Sequence, residues 1–162
     1  MHKNDAPMLE AVAFRLKVGS VNTGNHFTCY SVISKQDLLK IFSIFDRLPL
    51  NTSKNLNYLM LKKGYELYYN RQSYRQVNSK VVKKIIALKD QMNKKRTEFQ
   101  HPSEAGHRII ITPYWLLGFV EAEGYFSVST KEYRLEFGIG QIASELNVLE
   151  AIREFILNLP GS

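Results

Sequence analysis

The stretch from Tyr114 to Val128, YWLLGFVEAEGYFSV, constrains the fold more than any other in this chain. Its first part is almost wholly apolar with helical spacing. It ends in two acids, Glu121 and Glu123, then Gly124, and then alternates as a strand. Leu, Gly, Phe and Val along such a helix let a second helix approach closely, which leaves the acids at the end of the contact. A carboxylate there can meet a symmetry-related carboxylate from another helix and hold a divalent metal between them. Hard oxygen donors of that kind suit Mg²⁺, which keeps several waters and binds through a few carboxylates plus substrate phosphates. An amphipathic core helix with solvated acids at its end satisfies the same pattern, so the rest of the chain has to decide.

With 162 residues, 44% of them apolar, the chain can form one domain or two small halves. Its net charge of +7 points to a polyanionic partner, because each Lys or Arg that neutralises a phosphate releases counterions. Cys29 is the single cysteine, so an internal disulfide is excluded, and no Cys/His cluster suggests zinc. Charge interrupts the apolar runs well before membrane-spanning length, and no signal-peptide pattern follows Met1. A soluble, intracellular protein without membrane contact is expected.

Met8 to Val18 reads as a helix stopped at Gly19, and Ser20 to Ser34 as a hairpin turning at Thr23-Gly24-Asn25. A helix from Asp37 is broken by Pro49, and another runs from about Leu56 to Tyr69 with Ser53 or Asn55 as its cap. Val77 to Glu98 is helical in pattern and strongly basic: Lys80, Lys83, Lys84, Lys89, Lys94, Lys95 and Arg96 face only Asp90 and Glu98. A linker over His101 to His107 follows. Thr112-Pro113 then signals the start of the apolar helix. Tyr125–Ser129 and Tyr133–Ile142 read as a strand pair turning near Thr130-Lys131-Glu132, and Leu146–Leu159 as a closing helix. The opening and closing helices, APMLEAVAFRLKVGSVN and LNVLEAIREFILNLPGS, share LEA, a basic residue and a glycine stop. That self-similarity suggests two incomplete copies of one unit.

Leu116 to Gly124, LLGFVEAEG, with the following YFSVS, resembles the nine-residue signature of the LAGLIDADG homing endonuclease and intron maturase family, in its two-repeat organellar form. DLLKIFSIFDRLPLNTSKNLNYLMLKKGYELY looks like the end of a first repeat, and MNKKRTEF like the stretch leading to a second signature helix. The resemblance covers nearly the whole chain. It implies an α+β fold in which antiparallel β-sheet is flanked by α-helices. Residues 1–76 would be the second half of a first repeat, 77–111 a basic helix and linker, and 112–162 the first half of a second repeat. One signature helix is present where a family active site uses two. The second would come from a homodimer or a complementary fragment, and the chain itself would form a circularly permuted single unit or a domain-swapped homodimer that pairs two signature helices.

Carried over residue by residue, the resemblance makes Glu123 the metal ligand and first catalytic candidate. Leu117, Gly118 and Glu121 would face the partner helix. Gln141 would order water near the metal, and Lys54 would stabilise charge developing on the scissile phosphate. The family lays its sheet in the major groove, where base edges differ in donor and acceptor pattern. That suggests Asn22, Asn25, Thr28 and Tyr30 on the first hairpin and Ser127, Ser129, Lys131 and Arg134 on the second. Lys80, Lys84, Lys95 and Arg96 on the basic helix would contact phosphates without reading sequence. The function implied is site-specific, Mg²⁺-dependent hydrolysis of double-stranded DNA in mitochondria. The alternatives are a non-cleaving nucleic-acid-binding protein, such as a maturase acting on intron RNA or a degenerate remnant, and a ribonucleoprotein component.

Overall fold

The computed structural model describes residues 1–69, 79–99 and 107–160, and the chain divides into two compact units, Met1–Pro49 and Leu50–Ser162. In the first unit, α1 (Ala6–Leu16) lies against a hairpin of β1 (Ser20–Thr23) and β2 (Thr28–Ser31). Pro7 sits in the first turn of α1, where its missing N–H is not needed. The chain leaves α1 through Lys17 in the left-handed region (φ 54°), whose N–H donates to the Ala13 carbonyl, and then turns at Gly19 (φ 73°). A Cβ on Gly19 would come within 2.5 Å of the Ser31 carbonyl oxygen, so this corner requires glycine.

The hairpin pairs antiparallel from Ser20↔Ser31 to Thr23↔Thr28, and the Gly24 N–H donates to the Phe27 carbonyl at 2.8 Å. The connection is therefore Gly24 to Phe27, longer than the Thr23–Asn25 turn expected. Helix α2 (Lys35–Arg47) opens on Ser34, whose Oγ accepts the Asp37 N–H at 3.1 Å, two residues before the expected start. Asp37 in its first turn and Arg47 in its last complement the helix dipole, and Phe42 is its buried anchor.

The second unit holds α3 (Lys54–Tyr69), α4 (Ser79–Asp90), α5 (Pro113–Glu123), β3 (Gly124–Ser129), β4 (Arg134–Ile139) and α6 (Leu146–Leu157). Its buried apolar side chains are Leu56, Tyr58, Leu88, Val148 and Ile152. Helix α4 packs on α3, with Leu88 reaching the position of Gly64. The basic segment is not one helix to Glu98. Helix α4 stops at Asp90, and a 3₁₀ turn over Asn93–Lys95 follows. Just beyond it Asn93 adopts a left-handed φ of 55°, which keeps helical hydrogen bonding from continuing. The Asn57 side chain stabilises that conformation, its Oδ1 accepting the Asn93 N–H at 3.1 Å and its amide donating to Asn93 Oδ1 at 3.2 Å.

Helix α5 starts as expected, with Thr112 Oγ1 accepting the Trp115 N–H at 3.2 Å and Pro113 at the first helical position. Strand β3 begins on the very next residue after α5. That junction needs Gly124, since a Cβ there would lie 2.6 Å from the Val120 carbonyl oxygen. Strands β3 and β4 pair antiparallel from Gly124↔Ile139 to Ser129↔Arg134. Strand β4 ends at Ile139, so Gln141 lies two residues beyond it and not at its end.

The architecture is α+β. The antiparallel sheet among the described residues is a pair of two-stranded hairpins, one in each unit, accompanied by helices. The units divide by packing at Pro49. The segments 1–76, 77–111 and 112–162 describe a repeat layout, which packing does not address.

Candidate active site

Three elements of the second unit deliver side chains to one open cleft of about 750 Å³. Helix α5 contributes a stripe at four-residue spacing: Trp115, Phe119 and Glu123. The rings of Trp115 and Phe119 stack with centroids 4.7 Å apart, so the apolar wall runs up to the exposed carboxylate of Glu123. Gln141, half-buried, enters just after β4, and Lys54 enters as the first residue of α3. The three residues the family resemblance singles out for chemistry thus line the same cleft, although they are far apart in sequence.

The wall between them is pinned by buried polar groups. Asn51, 4% exposed, donates its amide to the Ile110 carbonyl at 2.8 Å and accepts the Ile110 N–H at 2.9 Å. Glu145, 6% exposed, accepts the Ser53 N–H at 2.9 Å. The buried amide of Asn55 lies 3.2 Å from His107 Nδ1. These contacts tie the Leu50–Ser53 loop to the segment before α5 and to the turn before α6. A fourth charged residue, Arg96, also lines the cleft. From sequence alone Arg96 belongs to a continuous basic helix. The signal for its real place was the Asn57/Asn93 pair, which becomes visible only once the chain is folded.

The other face of α5 is open. Leu117 is 61% exposed, Glu121 is exposed, and a Cβ on Gly118 would meet nothing within 4 Å. Leu117, Gly118 and Glu121 share this face, about opposite the Trp115–Glu123 stripe.

On the β3–β4 hairpin, Ser127 opposes Glu136 and Ser129 opposes Arg134, so these four occupy one face, and Lys131 lies in the turn. Arg134 is already paired there, with Glu136 at 3.0 Å and Glu132 at 3.4 Å. Tyr125 on the same face donates its hydroxyl to Glu136 at 2.7 Å, and this hydrogen bond to a carboxylate raises the phenol above its ordinary range. The reverse face carries Phe126, Val128, Leu135 and Phe137, all exposed.

The first hairpin does not offer its candidates together. Asn22 and the turn residue Asn25 are exposed, but Thr28 is 1% exposed and shares a hydrogen bond of 3.0 Å with the Thr23 hydroxyl. Tyr30 donates its hydroxyl to the Val18 carbonyl at 2.7 Å. The register sets Thr28 and Tyr30 on the face opposite Asn22. Thr28 is therefore part of the packing beneath the hairpin, while the half-buried Tyr30 has its hydroxyl hydrogen-bonded to the chain's own backbone. Lys80 and Lys84 are exposed on α4, whereas Lys95 lies beyond that helix and pairs with Asp90. That ion pair holds the Asp90 carboxyl below its ordinary value.

The donor set for a metal is small. Glu123 offers a carboxylate and Gln141 an amide oxygen, while Glu145 is committed to Ser53. Among the described residues no group of three or more His, Cys, Asp or Glu side chains gathers to hold an ion. These residues fit Mg²⁺ only as a partial shell, completed by waters, phosphate oxygens and an acid from a second helix. Among the described residues no helix is long and apolar enough to cross a membrane.

Residues 1–65 match the family model described as LAGLIDADG endonuclease. The uncharacterized mitochondrial protein RF1 of Saccharomyces cerevisiae is 29% identical over 160 residues, covering 98% of this chain and 32% of that protein. The probable intron-encoded endonuclease Cox1-I1b of Schizosaccharomyces pombe is 30% identical over 146 residues, covering 88% and 35%. Among solved structures, the LAGLIDADG homing endonuclease I-GzeII in complex with its DNA target superposes with a TM-score of 0.76 at 25% identity, over 96% of this chain and 59% of that one. The meganuclease I-SmaMI bound to uncleaveable DNA gives 0.75 at 27% identity, over 96% and 58%. The chain spans about a third of the length of the curated relatives it matches. With the signature helix, the cleft at its end and these similarities together, the chain is similar in sequence and fold to the LAGLIDADG homing endonucleases.

Proposed function

We propose that this chain supplies half of the active site of a site-specific double-stranded DNA endonuclease, working by divalent-metal-dependent phosphodiester hydrolysis in mitochondria. The observation that carries the reading is the convergence of Glu123, Gln141 and Lys54 on one cleft from three separate elements. Glu123 would hold the ion together with phosphate oxygens and an acid from the second helix. A divalent ion bound there supplies Lewis acidity and a nucleophilic water at neutral pH. The chain's own groups do the rest. Gln141 orients a water through its amide, and Lys54 offsets the charge that develops on the phosphate as the bond to the leaving oxygen breaks.

Cleavage on this reading needs a second signature helix, from a second copy, a complementary chain or a longer polypeptide. The open face of Leu117, Gly118 and Glu121 supports it, because small residues and exposed apolar ones are what a closely packed helix partner requires. The serines and Arg134 of the second hairpin, with exposed Asn22 and Asn25 of the first, would meet base edges. Lys80, Lys84 and Lys95 would meet phosphates.

The test is Mg²⁺-dependent cleavage of long duplex DNA containing candidate intron-insertion sites. Glu123→Gln is expected to abolish cleavage while leaving duplex binding within about threefold of wild type, since one exposed carboxylate adds nothing to phosphate contacts. Cleavage that survives Glu123→Gln removes the catalytic assignment. Duplex binding without cleavage at any oligomeric state leaves a non-cleaving binder. Tighter binding to structured intron RNA than to duplex would make it a splicing factor.

A further inference from the structure

Arg96 is placed in the cleft by a device the family resemblance does not predict. Its Nε and Nη2 both donate to Asn57 Oδ1, at 3.3 and 3.1 Å, and its Nη1 donates to the Glu98 carbonyl at 3.3 Å. Asn57 is itself fixed by its two hydrogen bonds to Asn93. The guanidinium is half-buried, and among the described residues its partners are neutral carbonyl oxygens. A cation held this way keeps its full charge while losing its rotational freedom, and a guanidinium has five N–H donors of which three are used. By contrast, Lys95 next to it is paired with the Asp90 carboxylate.

The start of α3 cannot serve as the anion site in its place. The Lys54 N–H donates to Thr52 Oγ1, the Asn55 N–H to the Thr52 carbonyl, the Leu56 N–H to the Ser53 carbonyl and the Ser53 N–H to Glu145. The backbone donors at that helix end are spent. The available positive groups of the cleft are the side chains of Lys54 and Arg96, which line it with Glu123.

We propose that Arg96 is the phosphate-gripping residue of the cleft, and that Asn57 is a positioning residue that presets its guanidinium. The ligand is a phosphodiester of the nucleic acid that enters beside Glu123. Two remaining N–H donors suit the non-bridging oxygens of such a group, and planar bidentate contact is what distinguishes Arg from Lys at phosphate sites. This inference rests on the nucleic-acid reading above and deepens it. It separates Arg96 from Lys80 and Lys84, whose contacts lie on the exposed side of α4.

The test compares duplex-DNA affinity of the intact chain across salt for wild type, Arg96→Gln, Arg96→Lys, Asn57→Leu and the control Lys84→Gln. One lost phosphate contact lowers the slope of log affinity against log salt by about 0.9, so between 50 and 200 mM salt Arg96→Gln should lose roughly threefold less affinity than wild type. Asn57→Leu should weaken binding yet keep the wild-type slope, because the charge remains and its orientation is lost. Arg96→Lys should likewise keep the slope without restoring full affinity. In the double variants, Lys54→Gln should be non-additive with Arg96→Gln, and Lys84→Gln additive. A wild-type chain that does not bind duplex overturns the functional reading and this inference with it. A wild-type chain that binds while Arg96→Gln keeps its slope overturns this inference alone. Should a variant fold poorly, the side-chain Nε–H resonance of Arg96 in the wild-type chain gives the answer directly. It should move on adding duplex, and an unmoved resonance at saturation refutes the proposal.

Discussion

Asn51 offers the sharpest test of how the cleft is held. Its amide makes a two-bond bridge to Ile110, donating at 2.8 Å and accepting at 2.9 Å, from a position 4% exposed. Asn51→Ala removes both bonds and leaves the N–H and carbonyl of Ile110, an exposed residue, to water. Each bond contributes about 1 kcal/mol net, so a loss of about 2 kcal/mol is expected. For a unit of this size unfolding entropy is roughly 0.24 kcal/mol per kelvin, which converts the loss to a fall in Tm of about 8 °C. Circular dichroism melts at neutral pH would measure it. Asn51→Asp provides the discriminating control. It keeps an acceptor for the Ile110 N–H but sets a buried carboxylate against the Ile110 carbonyl, so it should be at least as unstable as Asn51→Ala. Burial raises the folded-state pKa of that new carboxyl. Its proton is retained more readily in the fold, so stability should be highest below the ordinary carboxylate range and fall as pH rises through the raised value. Both variants melting within 2 °C of wild type would refute the argument that this bridge holds the wall of the cleft.

Three further outcomes follow from the same geometry. Gly118→Ala should stabilise the chain by about 1 kcal/mol through helix propensity, since a Cβ there meets nothing within 4 Å, yet it should lower cleavage if a second helix packs at that point; denaturant midpoints and cleavage rates measure the two effects. Gly124→Ala should instead destabilise, because its Cβ would sit 2.6 Å from the Val120 carbonyl oxygen, and a melt at least as high as wild type would contradict this. Burial, reinforced by the Asp37 carboxylate, holds the Tyr30 phenol above its ordinary value of 10, so its contribution is complete below pH 10 and is lost as pH rises through the raised value. Urea midpoints from pH 8 to 11 should therefore fall more steeply for wild type than for Tyr30→Phe.

The sequence disclosed those features that depend on neighbours in the chain. Thr112-Pro113 and the apolar spacing of α5 announce that helix through capping and period, and it appears where those signals stand, whereas α2 opens two residues before the Asp37 start that the sequence suggests. The basic segment looks helical throughout because Lys and Arg are good helix formers and its sequence carries no Pro or Gly stop. The helix ends at Asp90 because Asn57, 36 residues earlier, stabilises a left-handed Asn93. The burial of Thr28 is hidden from the sequence for a related reason. Strand alternation puts neighbours on opposite faces, but only the packing against α1 decides which face is inside. Gln141, Lys54 and Glu123 could be named from the family pattern, whereas the Asn51 and Glu145 contacts that fix the wall between them could not, because each joins residues more than fifty positions apart.

The placement of the polar side chains that line the cleft has its own logic. Glu123 is the last residue of α5, Lys54 the first of α3, Gln141 stands two residues past β4 and Arg96 one residue past a 3₁₀ turn. Each side chain thus leaves a rigid element at its end, where the backbone is fixed but the neighbours are sparse. Such positions define direction well and leave charge solvated, which suits a surface that must receive a long polyanion. Their weakness is that no single end supplies enough oxygen donors for a divalent ion, as the isolated carboxylate of Glu123 illustrates. Bringing two such helix ends together doubles the donors without burying an unpaired charge in either half. The open face of Leu117 and Gly118 on the same helix is where that pairing is sterically cheapest, so ion affinity and helix pairing should rise and fall together. A chain whose Mg²⁺ affinity is unchanged by a partner helix would break that link.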